Sequence, residues 1–290
     1  MRTAEISTET TGPDDTGTGR GLPDGHRWEE AGAAWGSRGR DWACLFEHYA
    51  TEAIFAIFER IGATADTALL DIACGSGLAV RLADARGVRA AGIDAAASLV
   101  DIARVRTPGA DLRVGTMFDL PWDDESFEAV TAINGIWGGC EAALDEAHRV
   151  LKPGGRIGLS FWGDQPPLDL RTCFIAFAKN SPADHLEGMK RTNDIARPGV
   201  AEAMLVDAGF EIVERDHRLS VLEWPDPETA WRAISSVGPA VPALEHVGAE
   251  ALRPVVVDAL DGCCDADGIY RFRNRQEFVI AEKPVLPPTG

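Results

Sequence analysis

Two glycines and a carboxylate stand at a spacing that could form a nucleoside-binding turn. The segment Leu69–Gly77 has the pattern of a buried strand that runs into a glycine-rich turn, and Asp94 lies 19 residues after Gly75. Gly75 and Gly77 would let a ligand approach backbone that any Cβ atom would hold away. A carboxylate that ends the next strand, as Asp94 does, can accept hydrogen bonds from both hydroxyls of a ribose. These residues predict an adenosine-containing ligand.

An acid on the strand itself, Asp71, distinguishes between possible adenosine-containing ligands. A dinucleotide-binding turn requires Gly or Ala three residues after Gly77, where this chain has Val80. The Asp71 carboxylate would repel a pyrophosphate, but it would favour the cationic sulfonium and ammonium groups of S-adenosylmethionine (SAM). SAM is therefore the predicted cofactor, and a nicotinamide-dependent oxidoreductase is the less favoured alternative.

Strand and helix patterns alternate on both sides of this turn, which predicts an α/β fold with a Rossmann-like, doubly wound and mainly parallel sheet whose last strand is antiparallel. The predicted strands are Ala68–Ala73, Val88–Ile93, Leu112–Val114, Phe127–Ile133, Arg156–Phe161, Phe210–Val213 and Glu277–Ala281. The predicted helices are Leu78–Ala85, Ala96–Arg106, Glu141–Leu151 and Pro198–Ala208. Within a SAM-binding domain over residues 67–285, helical insertions are expected at about 164–197 and 223–262, the second with helices over Pro227–Ile234 and Glu250–Leu260.

The overall composition argues against several classes of partner. The chain has 28 Lys and Arg against 46 Asp and Glu, and its net charge of −18 would repel the phosphate backbone of a nucleic acid. No apolar run approaches the roughly 20 residues that span a bilayer. The six cysteines show neither disulfide-type spacing nor a CxxC pair, which favours the cytoplasm. Residues 1–25 are polar and predict a disordered tail.

The segment between this tail and the first strand, residues 26–66, is predicted to form an N-terminal helical lid. Its helical pattern contains glycines that leave two options open, one continuous helix or two shorter helices with a bend. Four aromatic residues recur every seven positions and would form one stripe on a helix, either as ordinary core or as a cover over a ligand. These aromatic residues are Trp28, Trp35, Trp42 and Tyr49, and the glycines are Gly32, Gly36 and Gly39.

Four motifs in family order carry a resemblance to a known group of enzymes. They are Asp71-Ile-Ala-Cys-Gly-Ser-Gly77, Gly92-Ile93-Asp94, Leu120-Pro121-Trp122 through Phe127, and Arg149-Val-Leu-Lys-Pro-Gly-Gly155. The stretch from Ala68 to Phe161 resembles the class I SAM-dependent methyltransferases. Within that class it is similar to the small-molecule group that includes the ubiquinone and menaquinone methyltransferases.

The resemblance implies a cofactor site along the carboxyl ends of four strands, and this sequence departs from the family at two positions. Ala73 replaces a loop glycine, which is tolerable if its φ stays negative. Thr116 replaces the acid that receives the adenine amino group. The implied cofactor-binding residues are Asp71, Ala73, Cys74, Gly75, Gly77, Asp94, Ala95, Thr116, Met117, Phe118, Asn134 and Gly135, to which we add Trp35 and Trp42 from the lid.

The predicted function is methyl transfer from SAM to a small-molecule acceptor, whose reacting O, N or C atom stays open. Trp137 and Tyr49 are candidates for the substrate pocket, although Trp137 could equally be a core aromatic. No catalytic residue is named, because His148 lies on a helix that is at the surface in the family, and no metal is predicted. The alternatives are non-methylating chemistry, such as that of a cyclase or isomerase, and a non-catalytic partner subunit. The oligomeric state stays open.

Overall fold

Seven strands in the described part of the chain form one sheet, in the order β3-β2-β1-β4-β5-β7-β6. The computed structural model describes residues 27–164, 167–183 and 194–285, so the predicted tail and part of the first insertion lie outside the described residues. The strands are β1 Ala68–Ile72, β2 Arg89–Asp94, β3 Asp111–Val114, β4 Phe127–Ile133, β5 Leu151–Trp162, β6 Glu211–Trp224 and β7 Tyr270–Glu282. The helices are α1 Trp28–Gly36, α2 Thr51–Arg60, α3 Leu78–Asp84, α4 Ala97–Arg106, α5 Ala142–Val150, α6 Arg171–Asn180, α7 Val200–Asp207, α8 Pro227–Ile234, α9 Val241–Val247 and α10 Ala249–Leu260.

The sheet confirms the predicted fold class, since β1 to β5 pair in parallel and β7 is antiparallel to both of its neighbours. β1 lies between β2 and β4, so the strand order reverses on either side of it. In an open α/β sheet, this reversal opens a crevice at the carboxyl ends of the strands, where ligands bind. The fold therefore places the turn after β1 at the position where a ligand is expected.

β1 and α2 are both closely packed against the elements around them. Leu69, Leu70 and Ile72 have no exposed surface, which is why this strand appears in the sequence as a continuous apolar run. α2 lies against β5, where a Cβ atom at Gly158 would overlap the side chain of Ile57. The buried face of α2, which includes Ile54, Ile57 and Phe58, thus belongs to the hydrophobic core under the sheet.

The second half of the sheet extends much further than the sequence indicated. The strand predicted over Phe210–Val213 is the start of β6, and the one predicted over Glu277–Ala281 is the end of β7. Both strands continue as a long antiparallel arm with pairing from Glu211↔Glu282 to Trp224↔Tyr270. Charged residues on the exposed face of this arm hid the alternation of apolar and polar residues in the sequence. Some of these charged residues pair across the two strands, as Arg271 and Glu223 do (2.6 Å), and such pairs stabilise the arm.

The N-terminal segment adopts the second of the two predicted options, two helices with a bend between them. Between α1 and α2, the chain passes through a helical turn at Gly39–Asp41, a π-helical turn at Trp42–Phe46 and a 3₁₀ turn. The glycines expected to weaken a helix serve close packing here, because a Cβ atom at Gly32 would overlap the carbonyl of Ala95. We call residues 28–50 the aromatic segment.

Helices α6, α8, α9 and α10 form a cap that covers one end of the sheet and shares a hydrophobic cluster with the aromatic segment. α8 begins where predicted because Asp226 accepts a hydrogen bond from the Thr229 amide (2.8 Å) and Pro227 occupies the first turn. The second insertion starts after Trp224, the last residue of β6. Among the described residues, we find no helix with both the length and the apolar character that a bilayer crossing requires.

Candidate functional site

The turn after β1, residues 73–77, is tied to the end of β2 by a carboxylate. We call this turn the glycine loop. The Gly75 amide donates to Asp94 Oδ2 (2.8 Å), and the Ala96 amide donates to Asp94 Oδ1 (2.7 Å). Burial raises the pKa of Asp94, while these two hydrogen bonds favour its charged form. The carboxylate is thereby held in one orientation beside the loop.

Ala73 corrects one expectation, because its φ is +58° and not negative. The left-handed conformation costs a residue with a Cβ atom roughly 1–2 kcal/mol relative to glycine. The methyl group of Ala73 points at Gly135, where an added Cβ would overlap it. The absence of a side chain at Gly135, which follows β4, therefore leaves room for the methyl group of Ala73.

The two glycines of the predicted nucleoside turn face different surroundings. A Cβ atom at Gly77 would lie 2.7 Å from Cβ of Ala103 on α4, so that glycine allows the loop to pack on the helix. A Cβ atom at Gly75 would meet only the Trp42 indole nitrogen, at 3.7 Å. Cys74, which precedes Gly75, is buried and donates its amide to the Ile93 carbonyl (2.9 Å). Gly75 is thus the loop glycine that faces the aromatic segment.

Asp71 is enclosed by the sheet. Its side chain is only 2% exposed, and Thr131, its partner on β4, donates a hydrogen bond to Oδ1 (2.6 Å). Burial raises the pKa of Asp71 to about 7, and the nearby charge of Asp94 acts in the same direction. Asp71 therefore lies beneath the loop as a carboxyl group that is readily protonated near neutral pH.

The predicted adenine side of the site lies at the ends of β2 and β3. A cleft of about 460 Å³ opens between α1 and this corner, and its walls include Gly32, Ala95 and Val114. Thr116 turns its hydroxyl towards its own loop, where it accepts from the Phe118 amide (3.2 Å). Met117 and Phe118 belong to the hydrophobic cluster on the α5 side of the sheet.

The aromatic stripe predicted from heptad spacing is only partly observed. Trp42 meets Trp35 edge-on (5.1 Å between ring centroids) and lies 6.1 Å from Tyr49, but Trp28 lines the cleft beside α1. Trp35 turns towards the cap, where a Cβ atom at Gly238 would lie 2.8 Å from its ring. Trp42 is therefore the tryptophan of this stripe that reaches the glycine loop.

Tyr49 joins the aromatic segment to the ends of β4 and β5. Its ring stacks on Trp162 (4.4 Å), and its hydroxyl forms a hydrogen bond with Asn134. Burial raises the pKa of the Tyr49 phenol far above its usual value, so this hydroxyl stays protonated. Asn134, whose φ is +53°, also accepts a hydrogen bond from the fully buried amide of Gln276 on β7.

Sequence reasoning missed a row of buried neutral polar groups on β6 and β7. Of the described residues, Gln276, Asn274 and Ser220 each bury a polar atom that has no hydrogen-bond partner, namely Oε1, Nδ2 and Oγ. Each such atom costs about 1–3 kcal/mol unless a ligand or water pairs with it. The available signal was the polar interruption between Phe272 and Phe278 on the buried face of β7.

An ion pair between the buried Glu47 and the half-buried Arg106 also escaped sequence reasoning. Glu47 Oε1 lies 2.5 Å from Arg106 Nη1, and Ser76 Oγ in the glycine loop donates to the other carboxylate oxygen. Arg106 also donates to the carbonyls of Ser76 (3.1 Å) and Ala43 (2.9 Å). The pair joins elements 59 residues apart, so no local motif announces it.

Trp137 and His148 lie outside this arrangement. Trp137 packs against the cluster on the α5 side of the sheet, whereas Tyr49 belongs to the cluster under the cap. His148 meets Phe210 edge-on (5.0 Å), and burial lowers its pKa. In the described ranges, no three His, Cys, Asp or Glu side chains converge as metal ligands would.

The amino-acid sequence of this chain is similar to those of known methyltransferases. A family model described as a methyltransferase domain matches residues 70–159. The chain is 30% identical over 199 residues to a demethylmenaquinone methyltransferase from Clavibacter sepedonicus, which covers 66% of this chain and 72% of that protein. It is 29% identical over 180 residues to a malonyl-[acyl-carrier protein] O-methyltransferase from Dechloromonas aromatica, with 60% and 63% covered.

Solved structures share the fold at low sequence identity. The YcgJ protein from Bacillus subtilis superposes with a TM-score of 0.53 at 18% identity, over 81% of this chain and all of that one. The [4+2]-cyclase SpnF gives a TM-score of 0.54 at 19% identity, over 89% of this chain and 95% of that one. At these identities, the likeness concerns the fold alone.

Proposed function

The chain belongs to the class I SAM-dependent methyltransferases, and from this premise we propose that its acceptor is a small, uncharged and largely apolar molecule. The observation that carries the proposal is the group formed by Tyr49, Trp162, Asn134 and Gln276. It combines aromatic rings with neutral hydrogen-bonding groups at the carboxyl ends of β4 and β5. This position adjoins the glycine loop, because Gly135 contacts Ala73.

SAM is the cofactor, and the residues around the glycine loop fit it. Bound SAM supplies a methyl group on a positively charged sulfur. In our proposal, Asp94 accepts hydrogen bonds from the ribose, and Gly75 leaves room for the ligand where a side chain would occupy it. Ala95, Thr116, Met117 and Phe118 border the adenine end, and Asn134 and Gly135 border the reacting end.

The acceptor side of the proposal follows from charge and burial. Tyr49, Asn134 and Gln276 are neutral, since burial keeps the Tyr49 phenol protonated. A charged acceptor would find no oppositely charged partner among these groups, and the nearby acid Glu47 is already paired with Arg106, so burying the charge would carry a large cost in desolvation. An apolar ring with one polar substituent would instead stack on Trp162 and pair with the unsatisfied Gln276 Oε1. The names of the menaquinone-type relatives agree with an acceptor of this kind.

Positioning and exclusion of water are sufficient for the chemistry proposed. Methyl transfer from a sulfonium is an in-line displacement, so an aligned acceptor in a dry site can gain much of the rate without a strong base. The aromatic segment and the cap provide that exclusion, because Phe46, Trp224 and Trp231 are buried between them. We assign no catalytic base.

Two measurements on the full chain test this function. Isothermal titration calorimetry should give micromolar-range binding of SAM and S-adenosylhomocysteine (SAH), and no binding of NAD. SAM with a labelled methyl group should then transfer label to neutral ring acceptors, such as hydroquinones and phenols. Transfer to RNA or acyl carrier protein would contradict the proposed acceptor class. Cofactor binding without transfer to any acceptor would favour a non-catalytic partner subunit, and conversion of a substrate without label transfer would favour cyclase-type chemistry.

A further inference from the structure

A small cavity of about 50 Å³ lies between the aromatic segment and the glycine loop. Its walls are mainly apolar and aromatic, and they include Trp42, Tyr49, Ala73 and Gly75. Of the described residues that line the cavity, only Glu47 carries a charge. An acid among apolar and aromatic walls favours a cation, because the carboxylate attracts it directly and the walls strengthen that attraction by excluding water.

Neighbouring groups hold the carboxylate of Glu47 in place. Its side chain is 9% exposed, with one oxygen paired to Arg106 and the other accepting from Ser76 Oγ. A carboxylate has about four lone-pair positions, so these two partners leave capacity for a further donor. Since Arg106 also holds the carbonyls of Ser76 and Ala43, the guanidinium fixes both the acid and the loop that it faces.

The other two acids near the loop, Asp71 and Asp94, are placed differently. The sequence predicts that Asp71 attracts the cationic groups of SAM. Its side chain is only 2% exposed, accepts a hydrogen bond from Thr131 and does not line the cavity. Asp94 holds the amides of Gly75 and Ala96. Glu47 is therefore the carboxylate that a cation in this cavity would meet.

We infer that Glu47 accepts the α-ammonium group of bound SAM, with Trp42 and Tyr49 as the aromatic walls of that subsite and Arg106 as the positioning residue. This inference rests on the cofactor site proposed above and assigns its amino-acid end. It also gives the aromatic segment a direct part in cofactor binding, since Glu47, Trp42 and Tyr49 all come from it.

The test compares SAH with its deaminated analogue, which lacks only the ammonium group, by calorimetry on the full chain. Wild-type protein should bind SAH at least about tenfold more tightly, the difference expected for one charged hydrogen bond. In Glu47→Gln, this difference should fall to within about twofold, because the amide carries no charge. Because the ligand and the residue are each changed separately and together, this is a double-mutant cycle. A substitution that weakens the binding of both ligands equally does not change the difference between them.

Arg106→Gln is the matched control, because it breaks the same ion pair and leaves the carboxylate in place. It should weaken both ligands together and reduce their difference only in part, because Glu47 keeps its charge and loses only the group that positions it. The inference is overturned if the difference persists in Glu47→Gln, if Arg106→Gln loses it as completely as Glu47→Gln does, or if wild-type protein binds both ligands alike. A loss confined to SAM and absent for SAH would assign Glu47 to the sulfonium and would also overturn it. If wild-type protein binds neither SAM nor SAH, the proposed function itself fails.

If Glu47→Gln does not fold, the comparison of SAH with its deaminated analogue on wild-type protein still tests whether the ammonium group is bound. Glu47→Asp then tests whether Glu47 binds it. The shorter acid keeps its charge but draws back from the cavity, so the ratio of the two dissociation constants should be reduced and not abolished. An unchanged ratio in Glu47→Asp, with melting temperature as the check on folding, would contradict direct contact with the ammonium.

Discussion

The two walls of the proposed cofactor site are built in different ways. The first wall is the glycine loop with Asp94, which comes from one short stretch of sequence and is held by backbone hydrogen bonds. The second wall combines the aromatic segment with Trp162 and Gln276, and side-chain contacts between distant parts of the chain hold it. In our proposal, the first wall binds the ribose of SAM, and the second wall meets the acceptor and the amino-acid end of the cofactor.

If this comparison is right, damage to the first wall abolishes binding of every cofactor-like ligand. Gly75→Val should reduce the affinity for SAM and SAH by more than about 1000-fold, equivalent to about 4 kcal/mol, because the branched side chain occupies the ligand's volume. Calorimetry measures the loss, and far-ultraviolet circular dichroism should stay near wild type. Gly62→Val is the control, since Gly62 has a similar φ of +70° with nothing within 4 Å of an added Cβ. Tight binding by Gly75→Val would place the cofactor elsewhere.

Asp94→Ala removes one side chain of the same wall and should have the next largest effect. Two hydrogen bonds from the ribose to a charged acceptor contribute about 1.5–3 kcal/mol each, so the affinity for SAM and SAH should fall by at least about 100-fold. The exposed carboxylate of Asp111 on β3 offers a comparison, and Asp111→Ala should bind as wild type does. Unchanged affinity in Asp94→Ala would refute the ribose assignment.

The tryptophans Trp35 and Trp42 separate packing from ligand contact in the second wall. Trp35→Ala should lose about 3 kcal/mol of stability without ligand, because Trp35 packs on Gly238 of the cap, and SAH should raise its melting temperature by the usual increment. Trp42→Ala should show a smaller loss and a reduced increment, since Trp42 faces the glycine loop. Thermal melts with and without saturating SAH measure both. Equal increments in the two variants would make Trp42 an ordinary core residue.

The smallest expected effect concerns the acid beneath the first wall. Burial raises the pKa of Asp71 to about 7, so its contribution to stability is fully present below the unfolded value near 4 and is lost as pH rises through 7. Between pH 5 and pH 7, the free energy of unfolding of wild type should therefore fall by about 2 kcal/mol relative to Asp71→Asn. Urea unfolding at several pH values measures this, and a difference independent of pH would contradict the burial of a titrating carboxyl group.

The accuracy of the sequence-based predictions follows the same division. β4 and α8 occupy the predicted residues, because buried apolar runs and the Asp226 cap are local signals. The β6–β7 arm was underestimated because the side chains on its outer face are charged, which masks a period of two. The conformation of Ala73 was wrongly expected, since its positive φ depends on the space left by Gly135 across the sheet.

The sequence by itself determined the fold class, the family and the residues of the glycine loop, because each depends on backbone conformation and strand burial within a short stretch of chain. Only the tertiary structure brought Glu47 to Arg106 and Tyr49 to Trp162 and Asn134. These contacts join side chains whose separation along the chain carries no periodic signal, and they form because the cap and the aromatic segment bury their apolar faces on the same end of the sheet. The cofactor motif could therefore be identified from residue order, whereas the groups facing its amino-acid end and the acceptor depended on packing.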